Sequence, residues 1–210
     1  MKIDFVSDVS CPWCAVGLKS LEAALARVGP EVNATLHFQP FELNPQMAPE
    51  GEDILEHLRQ KYGPSLDFAR SQETLKDRGD ALGFHFNFQK RGRIYNTFDA
   101  HRLLHWAHGE GKQHALKNAL FNAYFTAGQD PSNHDVLVNL AKSVGLDEKR
   151  AREILASDEF AGEVRERERF YTEAGIHGVP AVIINDRHLI QGGQPPEVFE
   201  QALRQLATES

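Results

Sequence analysis

Residues 1–41 read as strand, helix, strand, residues 175–210 as a strand hairpin and a helix, and almost everything between carries helical periodicity. This division constrains the fold more than any other feature of the chain. Ile3 to Ser7 make a short apolar strand. Ser10 is placed to cap the helix that follows, and Pro12 suits a first turn, where a missing N–H costs nothing. Val16, Leu18, Leu21, Ala24, Leu25 and Val28 recur mostly at spacings of three and four, and Gly29-Pro30 stops the helix. Val32, Ala34, Leu36 and Phe38 alternate with polar residues, the two-residue period of a strand. Two strands joined through a helix in one sheet are expected to be parallel, with a right-handed crossover.

From about 51 to 174 the periodicity is almost entirely helical. Ile54, Leu55 and Leu58 open one helix. Leu66, Phe68, Ala69, Leu75, Ala81 and Leu82 suggest a weaker one. Phe84, Phe86 and Phe88 alternate as an extended connection with aromatics packed inward. Helices are then expected over 97–108, 113–127, 135–144, 147–156 and 158–174, with Gly109, Gly111, Gly128 and Gly145 as punctuation. The β-branched run from Val179 to Ile184 returns to strand. Asn185-Asp186 is a hairpin turn, and His188 to Gln191 the returning strand. After Gly192-Gly193 and Pro195-Pro196 a last helix carries Val198, Phe199, Ala202, Leu203 and Leu206 on one stripe. The expected fold class is α/β, divided at 1–44, 45–174 and 175–210, the middle segment being helical.

The only two cysteines form Cys11-Pro12-Trp13-Cys14, at the junction of the first strand and helix. A thiolate is the reactive form of cysteine, and a helix N-terminus favours it by offering unpaired N–H groups and partial positive charge. The spacing of three puts the second sulfur on the same face, where it can close or resolve a disulfide. In open α/β sheets, sites lie at the carboxyl ends of strands, and the motif falls there. A zinc site normally needs a second Cys or His pair, and no third cysteine exists. Two buried structural thiols are the other bland reading. Neither Pro12 nor Trp13 is ionisable, so Cys11 is expected to be acidic for a thiol, but less so than in the most oxidising dithiols. Trp13 is expected to lie over the rim as an exposed aromatic, available to substrate.

A net charge of −7 argues against general nucleic-acid binding; Lys90-Arg91-Gly92-Arg93 is read as a solvated loop. No stretch is long and apolar enough to span a bilayer. The sequence opens on Met1-Lys2-Ile3-Asp4-Phe5-Val6 with no apolar h-region, so the expected location is the cytoplasm, where a lone Cys pair is catalytic more often than structural. His101, His105 and His108 share one helix face, a geometry able to hold metal, but no HExxH pattern or matching carboxylate accompanies them. They are read as a solvated or groove-lining face, and no metal is expected.

The dithiol after the first strand, Gly178-Val179-Pro180 before the last apolar run, and the helical block between resemble the thioredoxin-fold superfamily. Within it the chain is similar to the DsbA-like group, whose fold is split by a helical insertion. The segments Asn96-Thr97-Phe98-Asp99-Ala100-His101-Arg102-Leu103 and Gly192-Gly193-Gln194-Pro195-Pro196-Glu197-Val198-Phe199 look like the FrnE-type branch of cytoplasmic dithiol–disulfide oxidoreductases and isomerases. The resemblance implies that Cys11 is an exposed nucleophile and Cys14 a buried resolving thiol. It further implies that Val179-Pro180 is a cis peptide facing them, its backbone available to an extended substrate, and that His101 is the histidine nearest the dithiol. The implied partners are protein or low-molecular-weight disulfides and thiols. No cofactor is expected beyond the redox disulfide, glutathione is a candidate redox partner, and the oligomeric state is left open.

Two other functions compete. Glutathione-dependent isomerases and kappa-class transferases share this fold, but typically carry serine at the position of Cys11. They also carry a Gly-Gln-Asp-Arg type segment where this chain has Gly193-Gln194-Pro195-Pro196; a shared fold leaves that chemistry open. A non-catalytic, chaperone-like binding module would use the groove between the subdomains, with Trp13 and the phenylalanines 84, 86 and 88.

Overall fold

The computed structural model describes residues 1–63 and 67–208. In chain order these form β1 (Lys2–Ser7), α1 (Pro12–Val28), β2 (Thr35–Pro40), β3 (Glu52–Asp53), α2 (Ile54–Tyr62), α3 (Phe68–Ala81), β4 (Arg93–Ile94), α4 (Phe98–Gly109), α5 (Gln113–Phe121), α6 (His134–Ser143), α7 (Glu148–Leu155), α8 (Ala161–Glu173), β5 (Ala181–Ile184), β6 (His188–Gln191) and α9 (Pro196–Thr208). The main sheet has the order β2-β1-β5-β6. β1 and β2 run parallel, while β5 is antiparallel to both β1 and β6.

Alternation along the two central strands explains the layering. Ile3 and Phe5 of β1, with Val182 and Ile184 of β5, face a core shared with α1 and α9. Val6 and Ala181 face the opposite way, toward Tyr171 of α8 and Ile176. The β5–β6 turn carries Asn185 and Asp186 in left-handed conformation, at φ 53° and 56°, and is closed by the Arg187 N–H donating to the Ile184 carbonyl (3.2 Å). The outer edge of β2 is pinned by buried Gln113, whose side chain accepts from the Phe38 N–H (2.9 Å) and donates to the Phe38 and Leu104 carbonyls (3.0 and 3.1 Å). A second apolar core lies within the inserted helices, built from Leu103, Leu116, Leu137, Ala141, Ile154 and their neighbours on α4 to α7.

Several expectations are corrected. Helix α1 starts at Cys11 as N-cap with no side-chain cap, because the Ser10 hydroxyl donates to the Asp8 carboxylate (3.0 Å) instead. β2 begins at Thr35, since residues 29–31 first make a 3-10 turn. The insertion is not wholly helical: the short strands β3 and β4 pair antiparallel. Phe84 and Phe86 are buried as expected, but Phe88 enters a 3-10 turn. The helix expected over 113–127 is α-helical only to Phe121 and continues as a π turn over Asn122–Thr126. Within that wider turn the consecutive rings of Tyr124 and Phe125 are both buried. The stripe of α9 is Phe199, Leu203 and Leu206, with Val198 exposed. Leu66, assigned to the weaker helix, lies outside the described residues.

Candidate active site

The dithiol is held from both cores. Val9, fully buried, inserts into the helical core of α4 to α7, while Cys11 and Cys14 belong to the core under the sheet. Between them Asp8 organises the loop. Its carboxylate accepts from the Leu43 N–H (2.8 Å) and the Ser10 hydroxyl, and its carbonyl accepts from the Cys11 N–H (3.2 Å). Burial alone would push the Asp8 carboxyl up. The hydrogen bond and charge of His101, with the Leu43 N–H and Thr97 hydroxyl, outweigh burial and hold it below the ordinary carboxylate value.

Both cysteines are free thiols, and their surroundings differ. Cys11 is the N-cap of α1, and its thiol donates to the Val179 carbonyl (3.7 Å). Cys14 is one turn in and 0% exposed. Burial, with a hydrogen bond to the Cys11 sulfur and its charge, pushes the Cys14 thiol well above the ordinary range. The Val179–Pro180 peptide is cis and stands against α1. Close approach there rests on two glycines. A Cβ at Gly17 would stand 3.0 Å from Pro180 Cγ, and one at Gly193 would stand 2.9 Å from the Trp13 carbonyl oxygen. Gly193→Ala is therefore expected to lower stability by about 1–3 kcal/mol, because backbone must move, and to shift Trp13 fluorescence. Urea unfolding followed by fluorescence checks this; an unchanged midpoint would mean that the loop yields freely.

A cavity of about 330 Å³ opens onto Cys11. Ser10, Pro12 and Trp13 line it beside Cys11, with Val179, Leu43, Asn44, α2, α3 and residues 88–94 making the rest. The expected exposure of Cys11 is corrected here: it is only 4% exposed, because these inserted helices and Val179 cover it. Trp13 is likewise half-buried rather than standing free, with the Arg78 guanidinium 5.4 Å over its ring.

His101 does not line this cavity. It lies behind the dithiol, buried, with Nε2 3.3 Å from Asp8. With His105, His108 and Lys117 it borders a separate cavity of about 200 Å³ between α4, α5 and β2. Among the described residues no group of His, Cys, Asp or Glu is arranged to hold a metal ion. Lys117 on α5 is 1% exposed, with its ammonium 5.0 Å from the Phe121 ring centroid and no hydrogen-bonded acceptor among the described residues. Burial pulls its pKa down to about 8, against the opposing charges of Cys14, Asp8 and Cys11. Asp8 and Lys117, which the sequence does not single out, stand beside the dithiol, and Arg91, expected in a solvated loop, is instead buried at the cavity wall.

Residues 2–204 match the DSBA-like thioredoxin domain family. The chain belongs to that family. The probable DsbA oxidoreductase of Streptomyces coelicolor superposes at TM-score 0.92 and 35% identity, over 100% of this chain and 91% of the other. YwbO, an uncharacterized protein of Bacillus subtilis (strain 168), is 29% identical over 202 residues, 96% of this chain and 94% of its own. The cytosolic disulfide reductase DsbM of Pseudomonas aeruginosa shares the fold at TM-score 0.69 and 17% identity, over 100% of both chains. The architecture above is thus a DsbA-like thioredoxin fold with a helical insertion, and it carries the Cys11–Cys14 pair. No helix among the described residues is long and apolar enough to cross a membrane.

Proposed function

We propose that this DsbA-like protein is a cytoplasmic dithiol–disulfide oxidoreductase of the FrnE type. The observation that carries the reading is the unlike pair of free thiols at one helix N-terminus, Cys11 lining an open cavity and Cys14 sealed behind it. The Cys11 thiolate attacks one sulfur of a substrate disulfide; the other substrate sulfur leaves as a thiolate, and a mixed disulfide forms at Cys11. Cys14 then loses its proton and attacks the Cys11 sulfur. The second substrate thiolate departs, leaving the Cys11–Cys14 disulfide and a substrate that has gained two electrons.

A buried thiol with a raised pKa needs a proton acceptor. Lys117 supports that role, since its lowered pKa leaves a fraction of neutral amine near pH 7 and it lies within electrostatic reach of Cys14. Asp8, held ionised, is a poorer acceptor and serves to position the loop. The Val179 carbonyl, bonded to the Cys11 thiol here, becomes free for substrate once Cys11 enters a mixed disulfide. The inserted segment 45–174 supplies most of the cavity wall and sets substrate choice. A lone Cys pair of this kind suits a reducing compartment.

A glutathione redox titration with thiol counting tests the reading. It is expected to give a reversible two-electron transition between Cys11/Cys14 dithiol and intramolecular disulfide. A midpoint near about −270 mV would mark a reductase, and one near about −180 mV an isomerase or oxidant. If no intramolecular disulfide forms, the reading fails.

A further inference from the structure

We infer that the Cys11 cavity selects low-molecular-weight disulfides bearing a carboxylate, with Arg91 as the group that receives it; this rests on the oxidoreductase reading. The cavity has a one-sided charge. Its lining includes Arg91, Lys61 and His57 and, among the described residues, no aspartate or glutamate, in a chain whose net charge is −7. Lys61 is engaged by the Leu43 carbonyl and Asn44, and His57 by Glu52. Among the described residues Arg91 meets no carbonyl or carboxylate, and its polar neighbour is the Tyr124 hydroxyl. The arginine is 8% exposed, yet its Nε and Nη1 have no hydrogen-bond partner, and no carboxylate pairs with it among the described residues.

The same chain displays what a buried structural arginine looks like. Arg102, 4% exposed, donates to the carbonyls of Glu159, Ile154 and Ser157 and to the Asp99 carboxylate. A guanidinium costs free energy to bury unless it is paired and hydrogen-bonded, so Arg91, with two nitrogens sealed from solvent and unpartnered and no carboxylate beside it, brings an uncompensated charge to the cavity it borders. Its planar fork matches a carboxylate. Its support is aromatic instead: Tyr124 and Phe125 lie 5.1 Å from the guanidinium and Phe88 5.8 Å. The first two are the consecutive rings of the π turn after α5. These faces fix the group beside the cavity without neutralising it. At about 330 Å³ the cavity is the size of a small-ligand pocket, and the near-burial of Cys11 favours a small disulfide over the disulfide of a folded protein.

The test mixes the reduced protein with 3,3′-dithiodipropionate or 2-hydroxyethyl disulfide and follows Trp fluorescence and thiol loss. The wild type is expected to react with the dicarboxylate at least about tenfold faster, the scale of a charge-assisted hydrogen bond. In R91Q that ratio is expected to fall toward one, and in R91K part of it to remain. Equal rates in the wild type, or a ratio unchanged by R91Q, would overturn the inference while leaving the oxidoreductase reading intact. Faster oxidation by a disulfide-looped peptide without acidic residues than by the dicarboxylate would also overturn it, in favour of a protein substrate. Reaction with none of these disulfides would overturn both.

Discussion

Cys14→Ser is expected to turn the protein from a catalyst into a trap. The first half-reaction needs only the Cys11 thiolate and the cavity above it, both of which survive the substitution. The second needs a sulfur nucleophile one turn into α1. Serine cannot supply it, because its hydroxyl is a far weaker nucleophile than a thiolate. The mixed disulfide at Cys11 should accumulate to one equivalent per chain, visible by intact mass, and turnover should fall by several orders of magnitude. Cys11→Ser should abolish both turnover and adduct, because Cys14 is fully buried and reaches no external disulfide. Iodoacetamide should follow the same order, alkylating Cys11 of the reduced wild type and sparing Cys14. Adduct formation on Cys14 in the Cys11→Ser variant would sink this division of labour. It would mean that the helices over the site open widely enough to expose the second sulfur.

Much of this arrangement was legible in the sequence, for local reasons. The strand–helix–strand start and the closing hairpin follow from two periodicities and a few turn residues. Asn185-Asp186 takes the left-handed conformation at the hairpin turn. Cys11–Cys14 announces itself by spacing. What was not legible depends on which distant segments meet. Ser10 looked like a cap until the loop folded back and Asp8 took its hydroxyl. Cys11 looked exposed because nothing local covers it; the cover comes from α2, α3 and Val179, far along the chain. Lys90-Arg91-Gly92-Arg93 looked like a solvated basic run, yet Arg91 is buried over aromatic rings of a π turn that propensity does not foretell. Lys117 gave one usable signal. It sits four residues after Gln113, one after Leu116 and four before Phe121, so it falls among the buried positions of α5. A cation on an apolar face asks for an explanation, and the dithiol behind α5 is that explanation.

Lys117→Met is expected to stabilise the protein and slow it at once. In the unfolded chain Lys117 ionises near 10.5, and in the folded protein at about 8. Below pH 8 both states carry the charge, and the folded state bears its full burial cost. Between about pH 8 and 10.5 the unfolded chain holds a proton that the folded protein has released, so this group makes stability rise with pH across that window. The difference corresponds to about 3 kcal/mol, so the methionine variant should be more stable by roughly that amount at pH 7. The gap between the two proteins should close as pH approaches 10.5. The comparison must be made between variants, because the raised pKa values of Cys14, Tyr124 and Tyr171 act with the opposite sign at alkaline pH. Denaturant unfolding at several pH values measures it. The same variant removes the amine that accepts the Cys14 proton. Resolution of the mixed disulfide, followed after mixing with substrate, should slow by on the order of a hundredfold and lose its rise toward pH 8. A less stable variant at pH 7 would contradict the burial cost, and an unchanged resolution rate would contradict the proton transfer. A gain in stability paired with a loss in rate is the signature of a charge kept buried for its chemistry rather than for the fold.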